Sequence, residues 1–175
     1  MTIELPLPRV EALGAAAIPA ARLFSMQARA EMFGARFDAD AVPGDLLDME
    51  GVYRSSNGYF VGAWVDQEMV GSIAYRAYDH RFAQLDYGEG NVVEVVRLYV
   101  RPDHRRQGLA RLLFGALKQR AIERKVDVLY LHTHPFLDGA ESFWRRQGFQ
   151  VDDVETDPVW QTIHMSLALP CSDRP

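Results

Sequence analysis

The sequence predicts one α/β (α+β) domain, and three observations predict it. Residues 59–65 and 69–78 are β-rich runs separated by the turn Asp66-Gln67, the pattern of an antiparallel hairpin. A valine-rich run at 92–100, a helical stripe at 108–125 and a second apolar run at 126–132 make a strand–helix–strand unit with parallel strands. Two further runs, 149–154 and 162–169, close the sequence as a strand pair. At 175 residues the chain suits one domain, taken as 1–175, long enough to bury a real core.

Each element has its own signal. Residues 2–8 form a short strand that Pro6 and Pro8 confine to an edge. Residues 9–37 are helical in pattern, and Pro19 divides a loop from a helix that it helps to start. Residues 38–58 are mixed, with turn signals at Pro43-Gly44 and Asn57-Gly58. Residues 79–91 form a polar loop dotted with aromatics. The run at 92–100 is apolar on both faces and belongs in the middle of a sheet. Within 108–125, Leu109, Leu112, Leu113, Ala116, Leu117 and Ala121 form the stripe of a helix lying on a sheet. Asp138 is placed to cap a following helix, with Glu141 in capping-box spacing, and Gly148 ends that helix.

Composition narrows the function. With 48% hydrophobic and 25% charged residues, the chain is neither a disordered tail nor a fibre. No run reaches the length of a membrane span and the N-terminus lacks a signal-peptide pattern, so no membrane partner is expected. A single cysteine, Cys171, excludes an internal disulfide and a Cys-rich zinc framework, and a cytoplasmic setting is expected. The net charge of −5 argues against nucleic acid. Between residues 101 and 125, however, eight basic side chains face only Asp103 and Glu123, a local surplus of six positive charges. A positive island in an acidic protein suits a small polyanion, although a solvated helix face has the same composition.

The chemistry concentrates in residues 94–110, EVVRLYVRPDHRRQGLA. A valine-rich strand runs into a basic loop that opens a helix. The first turn of a helix presents free N–H groups and a positive dipole end, and small residues at Gly108 and Ala110 let a phosphate approach them. No Lys-Ser/Thr follows the glycine, so this is not a P-loop, and one glycine does not make a dinucleotide fingerprint.

Taken in order, these motifs resemble the GNAT-type N-acetyltransferases. Leu98-Tyr99-Val100 is followed by Pro102, then by Arg105-x-x-Gly108-x-Ala110, similar to the family's acyl-CoA signature. Further on, Ala140-x-x-Phe143-Trp144 leads to Gly148-Phe149, similar to the family's second motif. The resemblance covers residues 92–149. It implies a mixed, mostly antiparallel central sheet with a parallel central strand pair, flanked by helices. It further implies a bulged strand at 98–100 that splays from the strand at 128–132, with the pantetheine arm of acetyl-CoA between them. Leu98, Tyr99 and Val100 would then line the cofactor, with Leu98 and Val100 giving main-chain contacts, and Arg105, Arg106, Gln107, Gly108, Leu109 and Ala110 would hold its pyrophosphate.

The implied activity is direct transfer of acetyl from acetyl-CoA to an amine of a small molecule or peptide. Glu94 matches a position where many family members carry a glutamate and is the candidate base; an ion pair with Arg97 is its structural alternative. His132 is a second candidate base or relay, or else a satisfied histidine of the strand end, and His134 lies beside it. The family's tyrosine acid is replaced here by Trp144, whose indole is no useful acid, and Leu137 stands where an asparagine is common. Tyr99 and Tyr130 are substitute donors. These departures keep open a noncatalytic acyl-CoA-binding domain of the same fold. No metal is expected, because His132, His134, His104 and Asp138 lack a clear third ligand in pattern. Family members often dimerise, so a homodimer is an expectation. Asp152, Asp153, Glu155 and Asp157 form an acidic run that either draws in a cationic amine or is a solvated turn.

Overall fold

The valine-rich strand expected at the centre of the sheet is there, and the rest of the architecture is ordered around it. The structure is a computed structural model that describes residues 6–38 and 40–170. Seven strands form a mixed sheet in the order β1-β2-β3-β4-β5-β7-β6, mostly antiparallel, with β4 and β5 parallel. The strands are β1 (Arg9–Ala12), β2 (Tyr59–Val65), β3 (Glu68–Ala77), β4 (Val92–Val100), β5 (Val128–Thr133), β6 (Gln150–Val154) and β7 (Ile163–Ala168). The helices are α1 (Ile18–Phe33), α2 (Gly44–Leu47), α3 (Met49–Tyr53), α4 (Leu109–Glu123) and α5 (Ala140–Arg146).

The chain divides into two compact units, residues 1–75 with 97–118, and residues 76–96 with 119–175. In the first unit β1, β2 and β3 form an antiparallel meander, with Val10 opposite Ala63 and Phe60 opposite Ala74. Helix α1 carries Pro19 in its first turn and buries Ala21, Phe24, Ser25 and Ala28, one face at i, i+3, i+4, i+7 spacing. The start of α4 lies close on β3 because Gly71 has no side chain: a Cβ there would sit 3.1 Å from Leu113 Cδ1. In the second unit β5 pairs parallel with the start of β4, Val92 to Val128 and Glu94 to Tyr130. It pairs antiparallel with β7, His132 opposite His164. Tyr78, Val92 and Tyr130 form a buried cluster there, with Phe82, Leu85, Tyr87 and Val128 against it.

Two expectations are corrected. Of the strand expected at 2–8, residues 2–5 lie outside the described residues and 6–8 are irregular; the edge strand is β1, in the stretch before Pro19 that the sequence reads as loop. Pairing with β2 makes it a strand, since each ladder bond satisfies a backbone group that a loop would leave to water. Asp138 does not cap α5: its N-cap is Gly139, which has no side chain to offer. The mixed region at 38–58 folds into α2 and α3, with the Asp48 side chain accepting from the Gly51 N–H at the start of α3. Cys171 lies outside the described residues.

Candidate active site

Strand β4 is where local sequence turns into site geometry. Its fourth-from-last residue, Arg97, has φ +62°, a left-handed conformation in mid-strand that costs a non-glycine residue about 1 kcal/mol. Such a residue kinks a strand in the manner of a β-bulge. Two contacts hold it. The Arg97 carbonyl accepts from Ser72 Oγ at 2.7 Å. The Arg97 guanidinium donates to both oxygens of buried Asp45, at 2.6 and 2.9 Å, and Asp45 also accepts from the Tyr53 hydroxyl. Arg97 is therefore paired with Asp45 from α2; the ion pair with Glu94 considered from the sequence is not made.

Past Arg97, Leu98, Tyr99 and Val100 run to the loop that opens α4. Tyr99 packs edge-on against Phe24 and donates its hydroxyl to Glu31. Burial and then that carboxylate push the phenol up to about 12, so it holds its proton tightly. Arg105 lies over the Tyr99 ring, donates to the Val100 carbonyl at 2.8 Å and reaches Glu31 at 3.3 Å. Its own N–H is used by the Pro102 carbonyl. Arg105 thus braces the loop against the end of β4. Arg106 and Gly108 both have positive φ, +60° and +79°, and turn the chain so that α4 starts at Leu109. The Gly108 carbonyl accepts from the Leu112 N–H, the first rung of α4. Beyond its two neighbours in the chain, no atom lies within 4 Å of where a Gly108 Cβ would be, so the ground before the helix N-terminus is open. The first N–H groups of α4 have no intrahelical acceptor by construction. The donors, the dipole and Arg106 suit a pyrophosphate.

The second unit holds a different constellation. Glu94 is 1% exposed on β4. Arg81 grips it with two bonds, 2.6 Å to Oε1 and 3.0 Å to Oε2, and Arg76 adds a third at 3.2 Å. His132 Nδ1 lies 3.4 Å from Oε1. Burial alone would raise this carboxyl; the bonds from His132 and Arg81 and the two guanidinium charges outweigh it and hold it well below the usual range. Glu94 is thus a fixed anion. His132 is half-buried on β5, with Tyr130 beside it. His134 is buried, donates Nδ1–H to the Trp160 carbonyl at 3.0 Å and stacks on Phe136. Burial lowers its affinity for a proton, and it is a satisfied strand-end histidine.

Trp144, at the position of the family's tyrosine, is core: its ring packs on Phe143 and Phe149 with centroids 4.9 and 5.1 Å away. The carboxylates of the acidic run are hydrogen-bonded. Asp152 accepts from the Tyr87 hydroxyl, Asp153 and Glu155 from Gln84, Glu155 from His164, and Asp157 from three backbone N–H groups of its own turn. Arg76, Arg81, Glu31, Asp45 and His164 escaped the sequence reading. Only His164 left a local signal, a titratable side chain in a largely apolar strand; the others act through partners distant in sequence. Among the described residues no group of three or more His, Cys, Asp or Glu side chains is placed to hold a metal, and no helix is long and apolar enough to cross a membrane.

Comparison with known proteins adds to this geometry. The family model described as Acetyltransferase (GNAT) family matches residues 24–149. A GNAT-family acetyltransferase from Staphylococcus aureus Mu50 has a similar structure: TM-score 0.75, 18% identity, covering 93% of this chain and 99% of that one. The PaiA N-acetyltransferase of Thermoplasma acidophilum, solved with coenzyme A, matches with TM-score 0.67 and 14% identity over 93% and 99% of the two chains. The ribosomal-protein-S18-alanine N-acetyltransferase of Escherichia coli matches with TM-score 0.67 and 17% identity over 95% and 97%. No curated protein matches the chain.

Proposed function

The chain belongs to the GNAT family of acetyltransferases, and on that premise we propose that it moves an acetyl group from acetyl-CoA directly to an amine of a small molecule or peptide. The observation that supports the reading is the start of α4: a strand with a left-handed Arg97, a braced basic loop and a left-handed Gly108 lead into a helix N-terminus that suits a phosphate. Acetyl-CoA is the family's acyl donor, and its thioester supplies the activated acetyl group. The N–H groups from Arg106 to Ala110 hold the pyrophosphate, with Arg105 keeping the loop in place through Val100 and Glu31. Leu98 and Val100 offer their main chain to the pantetheine arm.

An alkylamine is only about one part in a thousand free base at neutral pH, so a proton acceptor helps the attack. We assign that role to His132. Glu94, with three arginine bonds on its oxygens, is too well satisfied to compete for a proton; it orients the imidazole. As the amine nitrogen bonds to the acetyl carbon, His132 takes the proton the nitrogen loses, and the C–S bond breaks to release coenzyme A as the thiolate, which takes a proton from water. A thiol with a pKa near 8.5 leaves without strong acid help, consistent with a tryptophan at 144.

The test begins with calorimetric titration of acetyl-CoA into wild type, Gly108→Glu and Arg106→Glu, each with its melting temperature. Binding by wild type, weakened about tenfold or more in both folded variants, is the expected result. Thiol release is then followed with a panel of amines for wild type and His132→Ala. Absence of acetyl-CoA binding in the folded wild type sinks the cradle. Binding with no turnover on any amine points to the noncatalytic acyl-CoA binder instead.

A further inference from the structure

Two buried groups, Tyr130 and His164, and half-buried Glu155, none of them used by this mechanism, lie in one line behind His132. The β5–β7 register sets His132 opposite His164, and Tyr130, two residues back, shares the face of His132. The Tyr130 hydroxyl is 2.7 Å from His164 Nδ1 and 3.5 Å from His132 Nδ1. His164 is fully buried, and its Nε2 lies 2.9 Å from Glu155 Oε1, just beyond the end of β6. A hydrogen-bonded chain therefore runs from half-buried Glu155 through His164 and Tyr130 to His132, which also faces Glu94.

The direction of every proton in this chain follows from its two ends. Glu94 is an anion held by Arg76 and Arg81, and it can only accept. His132 Nδ1, 3.4 Å from it, must therefore carry a hydrogen, shared between Glu94 and the Tyr130 oxygen. The shared hydrogen accounts for both long distances. With its oxygen accepting, Tyr130 must send its own proton to His164 Nδ1, which is then bare. His164 Nε2 carries the hydrogen that Glu155 accepts. One proton serves each link, and no group in the chain is left open. A proton on His164 Nδ1 would reverse Tyr130 toward His132 and bring a bare nitrogen against the Glu94 carboxylate. The other groups around the imidazoles are Phe82, whose ring packs on His132 and His164, and His134, whose hydrogen is committed to Trp160.

We propose that Glu155, His164 and Tyr130 are positioning residues that, with Glu94, fix His132 as the Nδ1–H tautomer and leave its Nε2 bare as the proton acceptor. The proposal rests on the assignment of His132 as base. It extends carboxylate–imidazole pairing through a second imidazole and a phenol, so that a residue with no contact to His132 controls which nitrogen reacts.

The test reads the tautomers directly, by long-range proton–nitrogen correlation spectra of the full chain labelled with nitrogen-15 histidine. Wild type should show His132 with a protonated Nδ1 and bare Nε2, and His164 with the reverse. Glu155→Ala, a partly exposed position, and Tyr130→Phe, which deletes one oxygen, should each shift His132 toward the Nε2–H form. In thiol-release assays both should lower kcat about tenfold and leave the KM for acetyl-CoA unchanged. An Nε2–H His132 in wild type, a doubly protonated His164, or His132 signals unmoved in both variants overturns the chain. The transferase reading fails separately: correct tautomers with no amine acetylated would remove the activity and keep the chain, and turnover with the wrong tautomer would do the opposite.

Discussion

A carboxylate sealed inside a sheet is stable only if cations meet it, and Glu94 is met by Arg76, Arg81 and the imidazole of His132. The folded protein binds this carboxyl's proton far more weakly than the unfolded chain does, whose value is near 4.5. The stabilisation is therefore complete above about pH 4.5 and is lost progressively as the pH falls below it. Glu94→Gln should cost about 2 kcal/mol at neutral pH, less than a fully enclosed pair because both guanidiniums keep about a third of their surface in water. It should also flatten the acid limb of the melting temperature between about pH 5 and pH 3. Thermal melts of wild type and variant across that range check both statements; parallel acid limbs would mean that other carboxylates dominate.

At the scale of the element, β4 is a strand with a left-handed residue built into it, and the strain is held by contacts from other elements. Asp45 and Arg97 are both shielded, with side chains 3% and 18% exposed. Removing one partner of such a pair leaves a charge without compensation and typically costs about 3–5 kcal/mol. Asp45→Asn should lose about 3 kcal/mol in urea denaturation, at the low end because Asn still accepts one bond. If the left-handed turn at Arg97 sets the line of Leu98 to Val100, the same variant should raise the KM for acetyl-CoA more than it lowers kcat. A KM that stays at the wild-type value in a folded Asp45→Asn protein would separate that turn from cofactor binding.

For the molecule as a whole the relevant quantity is the distribution of charge. The chain carries −5 overall, yet residues 101–125 carry a surplus of six positive charges. The structure engages part of that island in ion pairs, Arg101 with Glu68, Arg105 with Glu31 and Arg120 with Glu123. Arg106, exposed beside Gly108, stands at the helix start. Binding of a polyanion there should weaken with salt. Raising sodium chloride from about 50 to about 500 mM shortens the Debye length from roughly 14 to 4 Å and should lower acetyl-CoA affinity about tenfold. Calorimetry over that range, with Arg106→Glu showing a shallower dependence, checks it. A salt-independent affinity would assign binding to backbone donors alone.

Much of this protein was legible in its sequence because it rests on local periodicity. Strands at Tyr59–Val65 and Val92–Val100 and the stripe of α4 follow from side-chain spacing, and the loop proposed to hold phosphate is marked by small residues at a helix start. What tertiary structure alone decided depends on groups that meet across distance. Nothing local marks Arg97 as left-handed, since no glycine stands there and its partner Asp45 lies on α2. Glu94 was legible as an isolated carboxylate in a valine strand, but its state was set by Arg76 and Arg81. His132 was legible as a candidate, but the nitrogen that is free depends on Tyr130, His164 and Glu155. Sequence determines what a backbone segment will form through near-neighbour spacing; proton placement and charge compensation depend on three-dimensional neighbours, which only the folded chain assembles.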